Sequence, residues 1–251
     1  MPNKAVQPVA LITGASGGLG TVVTQMFLEA GYRVSAVALD WPRPLKQSDS
    51  CMVSKADLVS RKAAEALTTK TLQRWGAIHC LAHLVGGYVE GERVEETADA
   101  TWDYLLNVNL RTAVNMMRAV IPGMRAHKRG SIAVIGASPA IHPVATWSAM
   151  TASVTALCSL AQVAAAELRA EGVTVNALLP TTIATPAVRK GADEKEVRKW
   201  VDPRSLGSLL LWLASDAGRD LTGALIPVIG RQNHPCYEWH GVTDRDRLNR
   251  A

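Results

Sequence analysis

Short apolar runs alternate along this chain with longer segments of helical periodicity. The run VALIT at residues 9–13 is followed by a helical pattern, and the alternation continues through SIAVIG at 131–136 to ALIPVI at 224–229. The longest helical pattern covers residues 97–127. Several runs are apolar at every position, as in strands buried on both faces. The repeat predicts a parallel sheet covered by helices on both faces.

The length of 251 residues, with 48% hydrophobic, suits one large domain with a well-filled core. We predict one Rossmann-type, doubly wound α/β domain of about seven strands over residues 1–230, followed by a polar tail over 231–251. Ligands of such folds bind beyond the carboxyl ends of the strands, so the irregular segment 180–200 is predicted to form a lid. Gly31 is predicted to end one helix and Ser60 to cap the start of another.

The formal net charge of +5 gives little support to nucleic-acid binding, because bases are interleaved with acids and no basic-aromatic stripe is present. No apolar run approaches the roughly 20 residues of a membrane span, and the N-terminal residues lack a signal-peptide pattern. The sequence therefore predicts a soluble cytoplasmic protein without nucleic-acid or membrane partners. Four widely spaced cysteines without a C-x-x-C pair predict reduced thiols: Cys51, Cys80, Cys158 and Cys236.

A glycine-rich loop, TGASGGLG at residues 13–20, lies between the first strand and the first helix. Glycines allow close approach of a ligand, and backbone amides at the helix start face the pyrophosphate of a dinucleotide. The position of the loop makes it a strong indication of nucleotide binding, and the alternative is a tight turn without a ligand. The predicted cofactor contacts in the loop are Thr13, Gly14, Ser16, Gly18, Leu19 and Gly20.

With this loop, the chain resembles the short-chain dehydrogenase/reductase family over about residues 8–230. The family has a T-G-x-x-x-G-x-G loop, an adenine contact at the positions of Asp57 and Leu58, and a cofactor contact at Gly86. Other matching residues are Trp102, Asn109, Leu110, Val175, Asn176, Pro180, Thr185 and Pro186, and the run from Leu221 to Gly230. The resemblance implies an NAD or NADP cofactor and a homodimer or homotetramer formed through the small-residue helix at 150–168.

The choice between NAD and NADP is set after the second strand, where an acid binds the ribose hydroxyls of NAD. Asp40 is the candidate acid, although it comes slightly late against the family pattern, and the alternative is an exposed acid at a strand end. Gly17 stands where relatives that prefer NADP often carry arginine. These two residues favour NAD.

The catalytic residues that the resemblance implies are a serine, a tyrosine and a lysine, with an asparagine on the fourth helix. Counting from the fifth strand places Ala137 at the serine position, and counting back from the end of the fifth helix places Met150 and Val154 at the tyrosine and lysine positions. Asn109 is the one family position that is retained. A register shift does not restore the pair, because none of the four tyrosines is followed by lysine four residues later.

Other chemistry in the same cleft would need other groups. Ser138 and His142 could form a nucleophile and base, and the alternative is that their proximity is incidental. His83 is either part of another proton route or a hydrogen-bonded structural histidine. Three residues of the tail are chemically suited to zinc, but their spacing matches no zinc pattern, so no metal site is predicted: His234, Cys236 and His240.

Three hypotheses follow for the function. The first is a nucleotide-binding protein without the family's hydride-transfer activity, acting as a sensor, a regulator or the silent subunit of a hetero-oligomer with an active relative. The second is an NAD(P)-dependent oxidoreductase that acts on a carbonyl or alcohol by a different proton route. The third is a cofactor-independent lyase, isomerase or hydrolase in the same cleft. Whether the chain is an enzyme stays open here, as does the identity of its small-molecule ligand.

Overall fold

A parallel sheet forms the centre of the molecule, whose computed structural model describes residues 7–231. Within that range the strands are β1 Val9–Thr13, β2 Arg33–Ala38, β3 Cys51–Lys55, β4 Cys80–His83, β5 Gly130–Ile135, β6 Val173–Pro180 and β7 Leu225–Val228. Their order across the sheet is β3-β2-β1-β4-β5-β6-β7, and every neighbouring pair is parallel. This is a doubly wound α/β sheet, so the predicted fold class is confirmed.

Helices follow the strands on both faces of the sheet. Their bounds are α1 Gly18–Glu29, α2 Arg61–Trp75, α3 Asp99–Leu105, α4 Thr112–Ala126, α5 Ser148–Leu168, α6 Pro186–Arg189, α7 Glu194–Val197 and α8 Pro203–Ala214. Buried residues of α2, α4 and α5 form a core on one face, and those of α1 and α8 form a core on the other. Leu11 belongs to the first core, and its neighbours Ala10 and Ile12 belong to the second. Both faces of β1 are buried, which explains why its sequence is apolar at every position.

Local signals in the sequence mark several boundaries correctly. The Ser60 side chain accepts a hydrogen bond from the amide of Ala63 at 3.3 Å, which makes it the N-cap of α2. Gly31 has φ +83° directly after α1, as the predicted left-handed residue should. The helix predicted over residues 97–127 is instead divided, because a π-helical turn at Leu106–Arg111 separates α3 from α4.

The edge strand β3 is not marked by any apolar run in the sequence. Only its first two residues, Cys51 and Met52, are buried, because the strand pairs on one side only, with β2. An edge strand of this kind lacks the continuous apolar pattern of the central strands.

Within residues 7–231, one helix has enough length and apolar character to cross a membrane. The stretch Ser148–Glu171 has a mean hydropathy of 1.5, although the sequence had suggested no such segment. Half of its most apolar stretch is buried inside the domain, and α5 supplies Leu157, Cys158, Ala161 and Leu168 to the core. We interpret α5 as a core helix, since a helix buried against a sheet has the same composition as a spanning one.

Candidate functional site

The parallel sheet brings the carboxyl ends of its strands to one edge of the molecule. The loop from β1 to α1 lies at this edge, next to the segments that follow β2, β3 and β4. Gly14 adopts φ +66°, and its carbonyl accepts a hydrogen bond from the Gly17 amide at 3.1 Å. A Cβ atom on Gly20 would lie 2.1 Å from the Gly14 carbonyl oxygen. The loop therefore needs glycine at these positions for its own tight fold.

The start of α1 presents free backbone donors. Among the described residues no side chain caps this helix, whose N-cap is Gly17. The first amides of a helix lack partners within the helix and attract anionic groups. A glycine loop leading to an uncapped helix start has the donor chemistry that a pyrophosphate requires, so the residues present fit a dinucleotide.

A cavity of about 290 Å³ opens beside this loop, on the side of β2 and β3. In doubly wound sheets this is the side of the adenosine, since the ribose partner follows the second strand. We call it the adenosine-side cavity; its walls include Gly14, Leu39, Asp57, Leu58, Val85 and Tyr104. Its lining is mainly apolar, and it contains three residues that were predicted to contact the cofactor.

Two other predicted cofactor residues, Asp40 and Leu19, contact other parts of the protein and do not line the cavity. Asp40 forms an ion pair with Lys55 at 2.5 Å, and the hydrogen bond from that lysine lowers the pKa of the Asp40 carboxyl. Leu39, one residue earlier, is the residue after β2 that lines the cavity. Leu19 is buried in the core between α1 and the sheet, where its packing supports the loop. The side-chain position of Asp40 depends on the turn after β2, which the sequence pattern does not specify.

His83 joins three elements at the carboxyl edge of the sheet. Its Nδ1 lies 2.9 Å from the Thr13 hydroxyl, which accepts the amide of Leu84 at 3.1 Å. Its Nε2 lies 3.1 Å from the Thr112 hydroxyl, which donates to the Val108 carbonyl at 2.7 Å. The Thr112 proton is used in the bond to Val108, so the Nε2 atom donates to the Thr112 oxygen, and the Thr13 proton is available to the Nδ1 atom. These contacts fit neutral His83 protonated on Nε2.

Burial reinforces this neutral state. The His83 side chain has no solvent exposure, and desolvation lowers its pKa to about 4. With both nitrogens bound to threonines, His83 is a structural histidine that holds β1, β4 and α4 together. The structural alternative for this residue is supported, and a role in proton transfer to a ligand is not.

Acidification should therefore destabilise the protein through His83. The folded pKa lies below the usual 6.5, so this contribution to stability is complete above pH 6.5 and is lost as the pH falls towards 4. Between pH 7.5 and pH 5 this histidine alone should lower the free energy of unfolding by about 2 kcal/mol. Urea denaturation at both pH values measures the change.

Two variants separate this effect from general acid sensitivity. His83→Asn should reduce stability at pH 7.5 by about 1–3 kcal/mol and should lower the change in stability between the two pH values by about 2 kcal/mol. His127→Asn is the matched control, because His127 is exposed at the end of α4. An unchanged pH dependence in His83→Asn would contradict the assignment.

Asn109 lies in the π-helical turn and is 3% exposed. Its Oδ1 accepts the Gly87 amide at 2.7 Å, and its Nδ2 donates to the Ser153 hydroxyl at 2.9 Å. The Sδ atom of Met150 lies 3.7 Å from the same Nδ2. A Cβ on Gly86 would lie 3.3 Å from Oδ1, so the loop after β4 closely approaches this amide. Asn109 links that loop to α5, and π turns of this kind are frequent at functional sites.

The three residues counted onto the serine, tyrosine and lysine positions lie in one apolar cluster. Met150 and Val154 are 6% and 2% exposed, and they pack with Leu105 and Ala149. We call this group the α5 cluster. Partly buried residues around it are Val89, Trp102, Val108, Ala137, Ala140 and Trp147. The convergence of Ala137 with Met150 and Val154 agrees with the two separate counts along the sequence.

The segment after β4 packs over the start of α5 beside this cluster. The Gly91 amide donates to the Thr146 carbonyl at 3.1 Å, and the hydroxyls of Thr97 and Ser148 lie 3.1 Å apart. The rings of Tyr88 and Trp147 meet edge to face, with centroids 5.1 Å apart. These contacts connect two loops that are distant in sequence and bring Val89 and Trp147 to the α5 cluster.

The segment 180–200, which was predicted to form a lid, lies against the glycine loop. It contains α6 and α7, and Ile183 forms a parallel bridge with Val201. The side chain of Thr185 lies against Gly18, where a Cβ atom would come within 2.6 Å of the Thr185 Cβ. Gly18 is therefore required by packing within the chain, as well as being suited to a ligand.

The remaining candidates have the following places. Ser138 is buried, and the His142 backbone amide donates to the Ser138 backbone carbonyl at 3.1 Å. The pairing of their side chains as a nucleophile and a base stays a prediction. Cys51, Cys80 and Cys158 are buried free thiols. The tail residues His234, Cys236 and His240 lie outside the described residues.

Comparisons with known proteins agree with this architecture. Residues 8–196 match the family model described as short chain dehydrogenase. A short-chain dehydrogenase/reductase of Penicillium canescens is 26% identical over 243 residues, covering 88% of this chain and 94% of the relative. An uncharacterized oxidoreductase of Schizosaccharomyces pombe is 29% identical over 242 residues, covering 91% and 92%.

Solved structures share the fold at low sequence identity. A 3-ketoacyl-(acyl-carrier-protein) reductase from Brucella melitensis in complex with NADH gives a TM-score of 0.80 at 22% identity and covers 90% of this chain and 99% of its own. The protein ElxO with NADP bound gives a TM-score of 0.83 at 18% identity, covering 89% and 98%. At these identities the similarity establishes the common fold.

Proposed function

The chain belongs to the short-chain dehydrogenase family, and we propose that it binds a nicotinamide dinucleotide without that family's usual means of hydride transfer. The observation that carries the proposal is the pairing of an intact glycine loop with an apolar α5 cluster. Such a protein would act as a sensor, a regulator or the silent subunit of a hetero-oligomer with an active relative.

Binding is supported by the chemistry of the cleft. The amides at the start of α1 would hold the pyrophosphate, and the adenosine-side cavity would hold the adenosine. Two proteins of the same fold are bound to NADH and NADP, respectively. Gly17 in the loop favours NAD in this proposal, whereas Asp40 pairs with Lys55 and does not line the adenosine-side cavity.

The absence of acid–base chemistry is supported by the α5 cluster. A bound nicotinamide ring supplies a hydride acceptor or donor, and reduction of a carbonyl also needs a proton at its oxygen. Methionine and valine cannot hold a proton that a substrate could receive, and neither Val154 nor Ala137 can hydrogen-bond a ribose or a carbonyl. Loss of a positioned general acid costs about 10²- to 10⁴-fold in rate.

The second candidate is an NAD(P)-dependent oxidoreductase that uses a different proton route. The comparisons favour this candidate, because the relatives are named dehydrogenases, reductases and oxidoreductases. The contacts in the structure argue against two of the possible proton donors. His83 is buried with both nitrogens bound, and the Asn109 amide is bound to Gly87 and Ser153. His142 and groups on the substrate remain as sources of the proton.

A turnover assay distinguishes the two candidates. The purified protein is incubated with NADH or NADPH and a panel of ketones, aldehydes and 3-oxoacyl thioesters, and cofactor absorbance is followed. The first candidate predicts kcat at or below about 0.1 s⁻¹, since typical enzymes reach about 10 s⁻¹ and the missing acid costs at least about 10²-fold. Turnover near 10 s⁻¹ would contradict it and establish the second. In that case His142→Ala tests the proton route.

The proposal extends to assembly through α5, in a homodimer, a homotetramer or a hetero-oligomer. From Ala152 to Ala166 the helix has no charged residue, and Val163 is 55% exposed on its outer side. An uncharged exposed face suits close contact with a second helix. Light scattering on the purified protein measures the state. The cytoplasm stays the predicted location.

A further inference from the structure

We infer that this chain recognises its ligand through the adenosine diphosphate half, so that ADP-ribose binds as tightly as NAD. The inference rests on the proposed function and specifies which part of the dinucleotide the site recognises. It predicts a protein that responds to adenine nucleotides in general, whatever group is attached to the second phosphate.

The adenosine-side cavity is open and matched to an aromatic base. It measures about 290 Å³, and its walls are mainly apolar. Leu39 and Tyr104 both line the cavity and are 73% and 51% exposed, so their side chains are available to a ligand. Apolar walls and an aromatic ring favour a flat heterocycle by stacking and by removing its faces from water.

Tyr104 is held in place at this rim. A Cβ on Gly87 would lie 2.7 Å from the Tyr104 hydroxyl oxygen, so the phenol ring packs closely on the backbone of the loop after β4. The Gly87 amide is itself bound by Asn109. A ring fixed against a fixed loop loses little freedom when a base stacks on it, and this pre-organisation favours binding.

In this proposal the nicotinamide half lies at the α5 cluster, which holds the family's tyrosine and lysine positions, and this part of the cleft offers far less to a ligand. Met150 and Val154 are almost entirely buried within the α5 cluster, so little of their surface is left for contact. Neither side chain can donate a hydrogen bond to the second ribose. The Asn109 amide already binds Gly87 and Ser153. The nicotinamide nucleoside therefore loses its hydrogen bonds to water on binding and gains few polar contacts with the protein. It adds little to the affinity.

Isothermal titration of the full chain with five ligands tests the inference. The ligands are ADP, ADP-ribose, NAD⁺, NADH and nicotinamide mononucleotide. We expect ADP-ribose and NAD⁺ to bind within about threefold of each other and nicotinamide mononucleotide not to saturate at millimolar concentration. Binding of NAD⁺ more than about tenfold tighter than ADP-ribose would overturn the inference and leave the proposed function standing. Absence of binding by all five would contradict both.

A pair of tyrosine variants locates the binding. Tyr104→Ala should weaken ADP, ADP-ribose and NAD⁺ by a common factor of about tenfold, since loss of one stacking ring acts on the shared adenine. Tyr88→Ala is the matched control, because Tyr88 is 54% exposed and its ring packs on Trp147 instead. A loss that is confined to NAD⁺, or one that is equal in both variants, would contradict recognition through the adenosine half.

Discussion

Replacement of Gly20 by alanine is expected to abolish measurable nucleotide binding and to destabilise the fold by about 2–4 kcal/mol. The added Cβ would lie 2.1 Å from the Gly14 carbonyl oxygen and 2.7 Å from the Ala15 Cα. Both atoms belong to the backbone, so no side-chain rotation relieves the clash, and α1 must move away from the loop. That movement removes the helix amides from the position that a pyrophosphate would occupy.

Gly123→Ala provides the control for this substitution. A Cβ at Gly123 meets nothing within 4 Å, and the residue lies inside α4, where alanine is the better helix former. The control should be unchanged or more stable by about 0.5–1 kcal/mol and should bind nucleotide normally. Urea denaturation and ligand titration of both variants give the comparison. Wild-type stability and binding in Gly20→Ala would show that the loop is not packed as described.

Substitution of lysine for Val154 is expected to cost about 3–5 kcal/mol in the free energy of unfolding at pH 7. Val154 is 2% exposed within the α5 cluster, where Leu105, Ala149 and Met150 offer no partner for an ammonium group. Burial disfavours the charged form, so the pKa of the new lysine should fall. The penalty should then diminish as the pH rises towards 10, because the unfolded chain loses its proton there as well.

Val94→Lys is the matched control at an exposed valine outside α5. Its side chain is 69% exposed, so the same substitution should change stability by no more than about 0.5 kcal/mol. Thermal and urea unfolding of the two variants at pH 7 and pH 9.5 measure the difference. Equal stability of Val154→Lys and Val94→Lys would contradict the packing of Val154 in a closed apolar cluster.

The sheet could be predicted from the sequence because its strands carry a strong local signal. Central strands such as β1 are apolar throughout, and the glycine loop fixes where the first strand ends. The edge strand β3 could not be found in this way, because it pairs on one side only and buries two residues. Helix caps such as Ser60 were predictable since the cap contact spans three residues of sequence.

The site was predictable in position but only partly in detail. Ala137, Met150 and Val154 come together as two separate counts had placed them. Leu39 lines the adenosine-side cavity while Asp40 pairs with Lys55, because the turn after β2 decides which side chain faces the cavity. The contacts of His83 with Thr13 and Thr112 join residues far apart in sequence, so no local pattern could specify them.

Titration measures the proposed binding of a nicotinamide dinucleotide. The wild-type chain is titrated with NAD⁺, NADH, NADP⁺ and NADPH while tryptophan fluorescence is followed, with Gly20→Ala as the negative control. We expect saturable quenching by NAD⁺ or NADH with a dissociation constant below about 1 mM, and none in the variant. Failure of all four cofactors to saturate the wild-type protein at several times that concentration would contradict the proposed binding.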